Sequence, residues 1–257
     1  MAFLKTSNPA LGDQTFQRLS QAQYGGYPGE RTASMTLNGT VNKTGILLVL
    51  AIASAGWTWY LFNQSLNTAD VMPWMMGGLI GGFIFALITI FKKEWAPVTA
   101  PAYALLEGLA LGGISASFEI RYPGIAIQAV GLTFGTLFVL LLAYRSGLIR
   151  VTNKLRLGIV AATGGIAVFY LAEIVLGMFG IHFTSINGSG FIGIGFSLIV
   201  VVVAALNLVL NFDIIERGVA AGAPKYMEWY GAFGIMVTLV WLYLEILNLL
   251  AKLNRRN

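Results

Sequence analysis

The sequence predicts an all-α membrane protein with seven transmembrane helices, and three observations carry that reading. Hydrophobic residues make up 57% of the 257 and charged residues 11%, well under the ~25% charge of soluble domains. Seven apolar stretches approach the roughly 20 residues needed to cross a hydrocarbon core of ~30 Å. The Lys and Arg residues fall in short clusters between those stretches, where topology signals lie.

Residues 1–43 are rich in Gln, Ser, Thr, Gly and Asn and read as a flexible polar cytoplasmic tail. The start, Met1 to Pro9, turns polar at once and shows no apolar segment of a cleavable signal. The membrane domain then occupies 44–253, with a short basic end at 254–257. Its first span, 44–62, closes on Trp57, Trp59, Tyr60 and Phe62, side chains suited to an interfacial belt. The second, 73–91, stops at Lys92-Lys93-Glu94. The third and fourth are 97–118 and 124–144, followed by a basic loop with Arg145, Arg150, Lys154 and Arg156. The fifth, sixth and seventh are 157–179, 191–212 and 231–253. Trp229 and Tyr230 read as interface anchors, and His182, the one histidine, as a solvated loop residue.

Placing the N-terminus inside puts 12 Lys and Arg on the inner side and 4 on the outer side, which fixes that orientation. Three of the four outer charges, Lys252, Arg255 and Arg256, stand at the C-terminus. A re-entrant seventh segment would return them to the inside. Glycines paired at i and i+4 (Gly77 and Gly81, Gly78 and Gly82, Gly108 and Gly112, Gly131 and Gly135) predict close helix contacts. None follows a strand or ends in Gly-Lys-Ser/Thr, so packing is the reading favoured over a phosphate-cradling loop.

Four carboxylates lie inside the spans or at their mouths: Glu107, Glu173, Asp213 and Glu245. A charge in the bilayer core is costly, so such acids face a water-filled cavity or one another. Helix rise places Glu107, Glu245 and Glu173 at ~15, ~21 and ~24 Å from the inner face, and Asp213 within ~5 Å of it. An enzyme is not indicated. There is no His-Glu-x-x-His, no histidine in the spans, no second Asp for a membrane aspartyl protease, and no cysteine. The net charge of +5 is spread over loop clusters and does not indicate nucleic acid. Cation handling remains. Hard cations such as Ca²⁺ want six to eight oxygens, so few acids imply weak binding, as a leak requires. Two adjacent carboxylates sharing a proton would make the passage pH-sensitive.

The segments Asn211-Phe212-Asp213-Ile214-Ile215-Glu216-Arg217 and Trp241-Leu242-Tyr243-Leu244-Glu245-Ile246-Leu247-Asn248-Leu249-Leu250 resemble the Bax inhibitor-1 family, as does Ala102 to Gly112 in the third span. The likeness is greatest to its bacterial branch with a long polar N-terminal tail. The resemblance implies six helices surrounding a central seventh and a pH-sensitive Ca²⁺ leak closed by an acid pair, here Asp213 and Glu245. It also implies a basic latch at the end of the second helix, for which Lys92 or Lys93 stands. Weak Ca²⁺ contact would fall on Asp213 and Glu245, with Glu107 and Glu173 along the same pathway. The chain departs from the family pattern in having Glu245 where Asp is common and Lys where Arg is expected. The expected setting is a bacterial cytoplasmic membrane, with lipid, Ca²⁺ and protons as partners and no resident cofactor. Two other functions fit the same residues: a proton-coupled transporter, or a non-transporting regulator that binds other membrane proteins.

Overall fold

The computed structural model describes residues 34–65, 67–180 and 183–256; most of the expected tail and His182 lie outside them. Seven helices among the described residues are long and apolar enough to span a membrane. They are α1 (Leu37–Ser65), α2 (Thr68–Phe91), α3 (Ala96–Arg121), α4 (Ile125–Arg145), α5 (Asn153–Met178), α6 (Phe191–Ala220) and α7 (Met227–Arg256). A 3-10 turn, Lys93–Trp95, leads into α3, and a one-turn helix, Thr184–Asn187, precedes α6. No strand occurs among the described residues, only an isolated antiparallel bridge between Ser34 and Pro224. The chain is thus an all-helical, multi-pass membrane protein.

Several boundaries differ from those the hydropathy suggests, each because a helix outruns its apolar stretch. Residues 34–43, expected in the flexible tail, instead dock and form the first turns of α1: Met35 is 2% exposed, and its N–H donates to Ala223 O at 2.7 Å. Thr36 caps α1, its hydroxyl oxygen accepting from the N–H of Gly39 at 3.0 Å. At the other end, α6 runs through the charged residues Asp213, Glu216 and Arg217 to Ala220. The last helix is unbroken over 30 residues, ~45 Å by helix rise, so it does not double back. The expected separate end at 254–257 is, through Arg256, its final turn.

Two compact units divide the chain, 34–123 with 213–237 and 124–212 with 238–256 among the described residues; α6 and α7 contribute to both. In the first unit, Gly108 and Gly112 of α3 lie flush on α1. A Cβ at Gly108 would sit 2.2 Å from Ala51 O, and one at Gly112 would sit 2.3 Å from Ala55 O. Ser54 and Thr58 line this seam with hydroxyls bonded to their own helix, at 3.1 Å to Ala51 O and 3.0 Å to Ala55 O. A Cβ at Gly78 would likewise sit 2.5 Å from Leu106 O of α3. The glycine reading therefore holds at Gly78, Gly81, Gly82, Gly108 and Gly112 and fails at Gly77, Gly131 and Gly135, where a Cβ would meet nothing within 4 Å. Phe62 also departs from the expected belt, being buried with Val71 and Ala116, while Trp57 and Tyr60 are exposed.

The second unit has its own apolar centre of Ile166, Val200 and Val203, with Tyr170, Phe196 and Trp241 against it. Of the seven helices α7 is the most enclosed, with 67% of its apolar stretch buried against 11% in α5.

Candidate functional site

Glu245 sits on α7 in the second unit, 7% exposed. The phenol of Tyr170, on α5, donates to its Oε1 at 2.8 Å, and the indole N–H of Trp241 donates to the same oxygen at 3.2 Å. Trp241 is one turn before Glu245 on the same face. The second oxygen, Oε2, is buried with no hydrogen-bond partner among the described residues. Buried polar atoms are rarely left this way. The carboxylate therefore has one oxygen fixed by two neutral donors and one open to a proton or a cation.

The α6–α7 seam supplies the surroundings. Asn211 donates to the Thr238 hydroxyl at 2.8 Å, and the ammonium of Lys252 donates to the Ser197 hydroxyl at 2.9 Å. Fourteen residues back along α6 thus correspond to fourteen forward along α7. The helices are antiparallel neighbours with polar rungs two heptads apart. Midway between the rungs, the position level with Glu245 is Ala204, fully buried, whose methyl offers no donor. A further polar pair, Asn207 to Thr163 at 2.8 Å, ties α6 to α5.

The other expected acids occupy different surroundings. Asp213 is gripped by Arg217 one turn on, with Nε to Oδ2 at 3.1 Å and Nη2 to Oδ1 at 3.3 Å. Because α6 continues past Asp213, this acid is seven residues short of the helix end instead of at it. Glu107 lies on α3, half-buried, close enough to α2 that a Cβ at Gly82 would be 2.9 Å from its Oε2. Glu173, near the end of α5, accepts from the side-chain amide of Asn187. Of the two latch candidates, Lys92 is exposed, and Lys93 holds its ammonium 5.6 Å from the centroid of the Tyr230 ring. Tyr230 itself is fully buried and not an interface anchor; with Tyr103 it flanks the ring of Phe233.

The sequence reading missed Glu228, in the first turn of α7 and 0% exposed. Its Oε1 accepts from Thr36 N–H at 2.9 Å, Thr36 hydroxyl at 2.8 Å and Lys225 ammonium at 2.7 Å, while Oε2 accepts from Lys43. Gly39 makes room, since a Cβ there would fall 2.1 Å from Oε1. The Lys225–Glu228 spacing is a visible signal of an i,i+3 ion pair. The partners Lys43 on α1 and Thr36 at its cap lie 185 and 192 residues away in sequence and leave no local signature. This clasp is saturated and holds the start of α1 to the start of α7, which marks it as structural.

Among the described residues, no three acidic or histidine side chains gather as a metal site would require. The sequence model of the family described as Bax inhibitor 1 like matches residues 8–255. No curated protein and no solved structure matches the chain.

Proposed function

The chain belongs to the Bax inhibitor 1-like family, and from that premise we propose that it is a pH-sensitive cation leak, passing Ca²⁺, in which Glu245 is the responsive carboxylate. The observation that supports this most is the open Oε2 of Glu245 within an apolar helix. Ionised, it offers a passing cation one free oxygen; protonated, it offers none, and Tyr170 and Trp241 hold the carboxyl in place in either state. One or two carboxylate oxygens fall far short of the six to eight that retain Ca²⁺, and weak contact suits a path from which the ion must leave. In this reading Asp213, held by Arg217, is the second acid of the pathway, and Glu107 and Glu173 are its further acids. The membrane is a bacterial cytoplasmic one, with the N-terminus inside.

The test is Ca²⁺ flux into liposomes carrying the purified protein, measured from acid to neutral pH. Glu245→Gln keeps an acceptor for Tyr170 and Trp241 but cannot ionise. It is expected to reduce the pH dependence to less than about twofold, since a step carried by one titrating group loses its response when that group is fixed. Asp213→Asn is expected to displace the pH response by freeing Arg217. Unchanged flux and pH response in both variants would overturn the proposal. Absence of flux at every pH would favour the regulator, and uphill movement driven by a pH gradient would favour the transporter.

A further inference from the structure

Lys252 is an unusual buried charge. It is 6% exposed on α7, and among the described residues every hydrogen-bond partner of its ammonium is a neutral oxygen. These are Ile186 O at 2.9 Å, Gly193 O at 3.2 Å and Ser197 Oγ at 2.9 Å. A lysine ammonium has three N–H donors and no acceptor, so three oxygens satisfy it completely. Charges inside membrane proteins are typically paired with an opposite charge or with backbone carbonyls. Here the second arrangement is complete: among the described residues no carboxylate is in salt-bridge contact with Lys252, and Glu245 and Glu173 act on it only at longer range. The dipoles that hold it are those that replace a hydration shell in cation-conducting filters.

The cage is also built into the backbone. Ile186 belongs to the one-turn helix Thr184–Asn187 and Gly193 to the first turn of α6. A Cβ on Gly193 would fall 2.0 Å from Gly188 O and 2.7 Å from Ile186 O, the latter being one of the cage oxygens. Glycine at 193 is thus what lets the 186–190 segment close over the start of α6. The side chain that fills the cage comes from the α7 face that carries Glu245, two turns further on.

We propose that the carbonyl oxygens of Ile186 and Gly193 and the hydroxyl of Ser197 form a monovalent-cation site, and that the Lys252 ammonium is its tethered occupant. Three neutral oxygens at 2.9–3.2 Å suit ammonium, alkylammonium or potassium. They do not suit a divalent ion, which demands more oxygens, several of them charged, at ~2.3–2.6 Å. While Lys252 is seated, that end of the α6–α7 seam is closed to free cations. This functional consequence rests on the leak reading; the site itself does not.

Thermal unfolding of the full-length protein in detergent tests the site. Lys252→Ala is expected to lower Tm by roughly 5 °C or more. Methylammonium, ammonium or potassium chloride should restore at least half of that loss, and N-methylglucamine chloride at equal ionic strength should not. Adding Ser197→Ala should abolish the rescue. Should Lys252→Ala fail to fold, a cycle with the volume-preserving Lys252→Met decides: the Tm loss caused by Ser197→Ala should be less than half as large without the ammonium. No rescue beyond N-methylglucamine, or an undiminished Ser197→Ala effect in the Lys252→Met background, would overturn the site. In liposomes, Lys252→Met is expected to raise potassium flux at least about fivefold, the direction expected when a fixed positive barrier is removed from a pathway. Rescue with unchanged flux would overturn the closure and keep the site. Absence of wild-type Ca²⁺ flux at every pH would defeat the leak reading and leave the site standing.

Discussion

Replacing Glu228 with Ala is expected to lower the stability of the folded protein by about 3 kcal/mol, the scale of breaking a buried ion pair from one side. Two ammonium groups and both donors of Thr36 converge on this carboxylate. Lys225 is half exposed and recovers water when the acid is removed, but Lys43 is 18% exposed and recovers little. Glu228→Gln keeps an acceptor for Thr36 and removes the charge, so its loss should be roughly half, near 1.5 kcal/mol for charge-assisted bonds. Gly39→Ala reaches the same site from α1, where a Cβ would sit on the carboxylate, and should resemble Glu228→Ala. Equilibrium unfolding in mixed micelles measures all three. A Glu228→Ala loss under ~0.5 kcal/mol, the range of an ordinary surface change, would mean that the clasp contributes little.

Gly108→Val should be at least as damaging. Its side chain would enter the space of Ser54 Oγ, at 2.0 Å, and of the α1 backbone at Ala51. A helix backbone cannot step aside as a side-chain tip can, so α1 and α3 must separate. Overpacking of this kind costs ~1–3 kcal/mol and occasionally more. In a bilayer, close packing is a principal source of helix association, with little hydrophobic drive to compensate for its loss. At the i,i+4 partner, Gly112, a Cβ would sit 2.0 Å from Thr58 Oγ1, and the same substitution there should respond in the same way. Gly131→Ala is the internal control: its Cβ has open space, and alanine favours a helix over glycine by ~0.5–1 kcal/mol. Equal losses for Gly108→Val and Gly131→Ala would remove the case for the α1–α3 seam.

The seven spans were legible because a bilayer crossing demands long apolar runs, a signal carried by single residues in order. Where a helix leaves that environment the signal stops before the helix does. The Asp213–Ala220 turns of α6 are polar enough to resemble a loop, although Asp213 and Arg217 make an i,i+4 pair that supports continuation. Glu245 could be singled out as a carboxylate in an apolar run, and Trp241 lay one turn away in sequence. Tyr170, 75 residues distant, could not be found from spacing. Lys252 entered the sequence reading only as a C-terminal charge, and its cage was illegible for a different reason: two of its three partners are backbone carbonyls, which every residue possesses and no sequence pattern marks. With Lys252 caged and Arg256 stacked 4.2 Å from the Phe191 ring centroid, two of the three C-terminal charges that opposed the inside-positive count are engaged within the fold.

The close of α7 has a mechanical consequence within the second unit. Two turns beyond Glu245, Lys252 is seated in three oxygens from the start of α6 and the segment before it, and Glu245 itself is tied to α5 through Tyr170. A slip of one helical turn, ~5.4 Å, would unseat Lys252 and break the Tyr170 bond together. What remains free to respond at Glu245 is the state of the carboxyl group and its own side-chain torsions, with this stretch of the helix serving as a fixed post.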